Sequence, residues 1–151
     1  MCIRDRYDAI ILAVAGLKRL GLKERIAQVI PHSVMLPAIA QGAIGIICRT
    51  DQVRVLNTVK SINDQATGVC VKIEREFLRL LEGGCTAPIG AFAQIDGDKI
   101  LFEGGIFSLD GKKAITIQHQ GRVSKASLMA SKAVKEILSK GGDRLMETIR
   151  Q

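Results

Sequence analysis

Among the residues that could do chemistry, one thiol stands apart. The stretch Leu81-Glu82-Gly83-Gly84-Cys85-Thr86-Ala87-Pro88-Ile89-Gly90 sets Cys85 between a charged helical segment and a run of strand-forming residues, with two glycines directly before it. Two readings stand: a buried small hydrophobe at a turn, which is what most free cysteines are, and a functional thiol with room beside it. A position past a helix C-terminus does not lower a thiol pKa as an N-terminus would, so local chemistry alone leaves both open. Arg19 is a second candidate. It follows an apolar run of strand length, and ligands of open α/β sheets bind at the carboxyl ends of strands; a solvated surface charge is the plainer reading of the same residue. Gly42 and Gly45 are a third, because a backbone without Cβ admits close approach, either of a ligand or of a neighbouring strand.

The elements that must position these groups follow from hydrophobic period. Residues 71–81 place Ile73, Phe77, Leu80 and Leu81 on one face, with Lys72, Glu74, Arg75, Glu76 and Arg79 largely on the other, which predicts an amphipathic helix. Thr67 is its predicted cap, and Gly83 or Gly84 in a left-handed conformation its predicted stop. Upstream, 7–14 is a continuous apolar run, the pattern of a strand buried on both faces of a parallel sheet, and 15–21 turns helical with Leu17 and Leu20 on one side. Pro31 and Pro37 bracket a connector, and 39–49 reads as a turn followed by a strand that holds Cys48. Asp51 is the predicted cap of a helix from Gln52 to about Ile62, broken by Asn63-Asp64.

After Cys85 the pattern changes to strands. Residues 89–95 and 100–108 flank Asp96-Gly97-Asp98-Lys99, a hairpin turn. A third strand, 114–120, follows Leu109-Asp110-Gly111-Lys112, with His119 assigned to its exposed, polar side. An amphipathic helix over 124–139 offers Leu128, Ala130, Val134, Ile137 and Leu138 to one sheet face, Gly141-Gly142 stops it, and a short helix over 143–150 carries Leu145, Met146 and Ile149.

Composition narrows the function classes. The chain of 151 residues is 47% hydrophobic but only 3% aromatic, without Trp, so its core is built from aliphatic side chains. The longest apolar stretch, 9–15, falls far short of the roughly 20 residues of a membrane span, and no secretory signal is recognisable. Cysteines at 2, 48, 70 and 85 form no C-x-x-C pair, and with two histidines no zinc spacing exists; no metal is expected, and reduced thiols in the cytoplasm are the simplest setting. The net charge of +7 suits an anionic partner. Nucleic acid is not indicated, because basic residues are neither clustered nor interleaved with aromatic stacking platforms. Gly111-Lys112-Lys113 lacks the spacing and the Ser/Thr of a P-loop, and no G-x-G-x-x-G is present. Met1-Cys2-Ile3-Arg4-Asp5-Arg6 has no period, cap or turn chemistry and resembles translated adapter sequence. Residues 1–6 are therefore expected to be a non-native leader, and the true chain to begin further upstream.

In this order, Tyr7-Asp8-Ala9-Ile10-Ile11-Leu12-Ala13 with Ala15-Gly16-Leu17-Lys18-Arg19-Leu20, Leu36-Pro37-Ala38 with Gln41-Gly42-Ala43, and Leu81-Glu82-Gly83-Gly84-Cys85, the chain resembles the C-terminal half of the porphobilinogen deaminase (hydroxymethylbilane synthase) family, over essentially residues 7–150. The resemblance implies a transferase of tetrapyrrole biosynthesis that condenses porphobilinogen units on a dipyrromethane cofactor, joined by a thioether to Cys85 beside Gly84, and then releases hydroxymethylbilane by hydrolysis. It implies that Arg19 binds a substrate or cofactor carboxylate, and that the backbone around Ala13 and Gln41-Gly42 lies against the pyrroles, where a side chain at Gly42 would obstruct them. It also implies a monomer. The family's catalytic aspartate has no counterpart here, so no catalytic residue is assigned in this fragment, and Ile47 replaces a glutamate found in many relatives. The implied fold is α/β with an α+β C-terminal domain, a fragment of a three-domain protein: 7–36 as the end of a second, cleft domain, 37–62 as a strand and helix returning to the first, and 63–151 as a complete domain of three antiparallel strands covered by helices. A non-catalytic small-ligand-binding or interaction module on the same C-terminal fold is the alternative, and an upstream reading frame encoding the missing cleft arginines and aspartate would decide between them.

Overall fold

A computed structural model of the chain describes residues 7–83 and 87–150, which divide into two units, Met1–Val34 and Met35–Gln151. In the first unit a single helix, α1 (Val14–Arg19), is followed by one 3-10 turn, Lys23–Arg25. Residues 7–13 form no strand, and Ile10, Ile11 and Leu12 are exposed. The second predicted strand is also absent: 44–49 has no regular structure, and Ile44, Ile46 and Ile47 are exposed. Both corrections have one cause. An apolar run buried on two faces becomes a strand only when neighbouring strands take up its backbone groups, and no described residue pairs with either run.

The second unit contains α2 (Val53–Ser61), α3 (Gln65–Leu80), strands β1 (Ile89–Asp96), β2 (Lys99–Phe107) and β3 (Ala114–Arg122), a 3-10 segment Val123–Leu128, then α4 (Met129–Ser139) and α5 (Gly142–Arg150). Asp51 does not cap α2; its carboxylate takes two hydrogen bonds from Arg49, at 3.0 and 2.6 Å, and Gln52 occupies the cap position without a side-chain bond. Nor does Thr67 cap α3. Asp64 does, accepting the Thr67 backbone N–H at 2.6 Å, so the helix begins a full turn before the predicted start.

The three strands form an antiparallel meander in the order β1-β2-β3. Gly97, with φ +60°, fills the first central position of the turn that lets Asp96 pair with Lys99, and a glycine there matches the twist of a two-residue hairpin. Register puts Ala91 and Ala93 opposite Gly104 and Phe102, and Ile117 opposite Gly104. These residues line the face covered by α3, α4 and α5, and they form one core with Ile73, Phe77, Ile137, Leu145 and Met146. Phe77 of α3 meets Phe102 edge-on, ring centroids 5.2 Å apart at 69°. His119 pairs with Phe102 in register, so it belongs to this covered face, against the expectation of an exposed position. Its parity is that of Ile115 and Ile117, and its Nε2 stands 3.0 Å from Glu136 Oε2 on α4. The helical face read for 124–139 shifts as well. Met129, Ala130, Ala133, Val134 and Ile137 are buried, whereas Leu128 and Leu138 point to solvent, because the first turn is 3-10 and resets the angular register.

Among the described residues no buried core residue precedes Cys70, so a polypeptide of residues 63–151 is expected to unfold in one cooperative thermal transition, and the 151-residue chain, which exposes two apolar runs, to associate more in light scattering. In the shorter polypeptide Phe77→Ala should cost about 3–5 kcal/mol in denaturant unfolding, as for other fully buried aromatics. A broad, non-cooperative melt would refute the self-sufficiency of this core.

Candidate functional site

The candidate residues are held by two helix ends and one docked turn. In the first unit α1 closes with Gly21 at φ +70°, the Gly21 N–H donating to Lys18 O (3.1 Å) and the Leu22 N–H to Leu17 O (2.9 Å). This is the paired bonding of a Schellman stop. It ends the helix on Lys18 and Arg19, two cations that complement the negative end of the helix dipole. Arg19 is exposed. Ala13 stands at the other end as the cap, its carbonyl accepting from Gly16 and Leu17 at 3.0 and 3.3 Å.

In the second unit α3 ends by the same device, but on a different residue. The left-handed position is Glu82, φ +52°, and not Gly83. Glu82 N–H reaches Arg79 O and Gly83 N–H reaches Leu78 O, both at 3.1 Å. At Gly83 a Cβ would fall 2.5 Å from Ile89 Cδ1 and 2.7 Å from Leu78 Cδ1, so the end of either side chain would have to shift to admit one. The chain therefore leaves α3 pressed against the first residue of β1. Gly84 and Cys85 lie outside the described residues. Beside Gly83 a groove of about 590 Å³ runs along α3, lined by Lys72, Arg75 and Arg79 among others; Arg79 is held by Glu76 at 2.6 and 2.8 Å, which keeps the Glu76 carboxyl below its usual pKa.

Gln41 and Gly42 occupy a turn docked on the opposite flank of α3. Gly42 has φ +87°, and nothing lies within 4 Å of where its Cβ would be. Backbone conformation, not a close neighbour, is thus what requires glycine at this position. The preceding residues are pinned to β1: Ala38 bridges Gly90, Ala91 N–H donates to Pro37 O at 3.2 Å, and a Cβ on Gly90 would fall 2.8 Å from Leu36 Cβ. Glu74 completes the dock, accepting Ala40 N–H on Oε2 (2.8 Å) and Ala93 N–H on Oε1 (2.9 Å). The expected outward-facing Glu74 is in fact buried. Its spacing from Cys70 (i−4), Phe77 (i+3) and Leu81 (i+7) already places it inside the apolar stripe, and that is the signal the sequence carries for it. A cleft of about 370 Å³ is lined by Gln41, Gly42, Thr67, Cys70, Glu74 and Phe92 among others.

The described thiols differ from one another. Burial, reinforced by the Glu74 charge, pushes the Cys70 thiol pKa up, which makes it inert; Cys48 is half-buried in irregular chain, not in a strand. Among the described residues no group of three or more His, Cys, Asp or Glu side chains could hold a metal, and no helix is long and apolar enough to cross a membrane.

Residues 68–139 match the family model described as porphobilinogen deaminase, C-terminal domain, and residues 2–57 match the one described as porphobilinogen deaminase, dipyromethane cofactor binding domain. The chain belongs to the porphobilinogen deaminase family. Similar proteins carrying the name porphobilinogen deaminase include those of Desulforamulus reducens, 37% identical over 98% of this chain and 48% of that protein, Prochlorococcus marinus, 42% identical over 95% and 45%, and Macrococcus caseolyticus, 41% identical over 99% and 48%. The chain thus spans about half the length of the curated relatives it matches. Ala13, Arg19, Gln41 and Gly42 fall in the porphobilinogen deaminase match named for the cofactor, and Gly84 and Cys85 in the C-terminal one.

Helix α3, which ends at Leu80, begins at a titrating cap, which makes its stability pH-dependent. The Thr67 N–H holds the Asp64 carboxyl below its ordinary value of 3.8, so the unfolded chain takes up this proton more readily than the folded one. The cap's contribution is complete above the unfolded pKa and is lost as pH falls through the lower, folded one. Asp64→Asn, which still offers an accepting oxygen but does not titrate, should match the parent melting temperature near neutrality and lose less of it than the parent between about pH 5 and about pH 2.5. An equal acid loss in both proteins would count against Asp64 as the titrating cap.

Proposed function

We propose that the chain is the C-terminal half of a hydroxymethylbilane synthase, acting as a monomer in the cytoplasm, with a dipyrromethane held by a thioether to Cys85. The observation that carries this reading is the Leu81-Glu82-Gly83-Gly84-Cys85 sequence at the end of α3, inside a chain that matches both porphobilinogen deaminase domains. The chemistry of the residues fits such a group. Each pyrrole of the family's substrate carries two carboxylates, and the groove beside Gly83 offers Lys72 and Arg75, while Arg79 is held by Glu76; such cations are suited to carboxylates.

When bound, the dipyrromethane supplies the pyrrole on which porphobilinogen units are added head to tail, each addition releasing ammonia. The chain's own residues hold and orient. Cys85 would hold the group through its thioether, so that the growing product would stay attached until hydrolysis. Arg19, presented at the end of α1, pairs with a carboxylate of substrate or cofactor. The backbone at Ala13 and at Gln41-Gly42 lies against the pyrrole rings, and the left-handed turn at Gly42 sets its direction.

The test uses this chain preceded by the N-terminal half of the Desulforamulus reducens porphobilinogen deaminase. Intact mass should show one dipyrromethane adduct, peptide mapping should place it on the fragment containing Gly84-Cys85-Thr86, and Cys85→Ala should abolish both adduct and turnover. Full activity of Cys85→Ala, or an adduct on Cys48, would overturn the assignment. In the same protein Arg19→Leu should lose about 1.5–3 kcal/mol of interaction with porphobilinogen, read as a fall in kcat/KM; unchanged kinetics would return Arg19 to a solvated surface charge.

A further inference from the structure

Glu74 is the buried charged residue among the described residues, 5% exposed, and its surroundings are not those of an ion pair. No Lys or Arg among the described residues pairs with it. Its two oxygens instead accept two backbone N–H groups from segments distant in sequence, Ala40 at 2.8 Å and Ala93 at 2.9 Å. A carboxylate is the one natural side chain that presents two acceptors and no donor on a stem of this length; a glutamine offers one acceptor and turns a donor toward the other N–H. The position lies in the stripe of Cys70, Ile73 and Phe77, where an apolar side chain would pack but would leave the Ala40 and Ala93 N–H groups without their acceptor. The carboxylate satisfies both donors and sets the geometry of the two segments that carry them.

The geometry it serves is unusual. Ala40 has φ +59°, a left-handed conformation that an L-residue with a Cβ adopts unwillingly, and it is the Ala40 N–H that Glu74 holds. The next two residues are Gln41 and Gly42, and the same cleft is lined by Glu74, Gln41 and Gly42. We infer that Glu74 is a positioning residue: its carboxylate locks the Ala40–Gly42 turn onto β1 and thereby fixes the backbone that faces the pyrroles. The second half of this statement rests on the function proposed above, and the first half does not.

The experiment separates the two. In the 151-residue chain, hydrogen exchange followed by NMR should show the Ala40 and Ala93 amides of Glu74→Gln and Glu74→Met exchanging about tenfold faster or more than in the parent, as expected for the loss of a charge-assisted bond, while Phe102 and Ile106 in the core keep their protection. In the protein completed with the Desulforamulus reducens N-terminal half, both variants should still carry the adduct but show KM for porphobilinogen raised about fivefold or more, with a smaller change in kcat. Glu74→Met is the discriminating variant. It leaves the Ala40 and Ala93 N–H groups without their acceptor and should melt below the parent. Assayed well below its own melting temperature it is fully folded, and there a role confined to stability predicts no kinetic defect. If Glu74→Gln fails to fold, Glu74→Asp, which keeps the charge and withdraws it by one methylene, carries the same expectation. Parent-like exchange at Ala40 in the variants overturns the lock, and parent-like KM in Glu74→Met overturns its role toward the substrate. If the unsubstituted completed protein carries no adduct, the proposed function fails, and the exchange result still decides the lock.

Discussion

The ring of Phe77 rests where Gly104 has no side chain, and much else follows from that contact. A Cβ on Gly104 would fall 2.8 Å from the ring's Cζ atom, so only glycine lets α3 approach the sheet closely enough for Phe77 to meet Phe102 edge-on. Such a pair contributes roughly 0.5–1.5 kcal/mol beyond the area it buries, but its larger consequence is geometric. It fixes the height and rotation of α3 over β1 and β2. One turn later the helix must stop against Ile89, which decides where Gly83 leaves it; one turn earlier Glu74 must face the edge of β1, which decides what can dock there.

The strands and helices after residue 88 are legible in the sequence because their signals are local. Alternation, a Gly-containing hairpin and a helical stripe each act within a dozen residues, and β1, β2 and β3 start and end within two residues of expectation. The runs at 7–14 and 44–49 read as strands from a pattern that describes an environment. A segment apolar on every side calls for neighbours on every side, and where the described chain supplies none, the residues stay irregular despite their β propensity. His119 and Glu74 depart from expectation for a narrower reason: their polarity suggests solvent, whereas their parity decides the face. Counting two along β3 or three and four along α3 puts both among core positions, whatever their side chains.

The site is legible unevenly in the same way. Arg19, Gln41 and Gly42 stand out through their resemblance to a family's motifs. Glu74 belongs to none of those motifs, and its role is visible only once two N–H groups, 34 and 19 residues away in sequence, are seen to converge on it. A side chain that acts on backbone leaves little trace in a sequence, because its partners can be any residue type; Ala40 and Ala93 give no hint of what holds them.

A polar joint at this place has a physical logic. The segment from Pro37 to Gly42 is Pro-Ala-Ile-Ala-Gln-Gly, in which only Ile39 is a large hydrophobe, and Ile39 is half-buried against the core. So little apolar area cannot hold six residues in one conformation against the entropy of a loop, which amounts to about 1–2 kcal/mol per residue. Backbone hydrogen bonds must supply the remainder: the bridge to Gly90, which includes the Ala91 N–H bond to Pro37 O, and the Ala40 N–H bond to Glu74. Of these only the last uses a side chain, and the same carboxylate also takes the Ala93 N–H of β1. The docked segment lies in the match named for the cofactor and β1 in the C-terminal match, so this small joint links residues of the two matches within one folded unit. The precision with which one presents Gln41 and Gly42 then depends on a carboxylate contributed by the other.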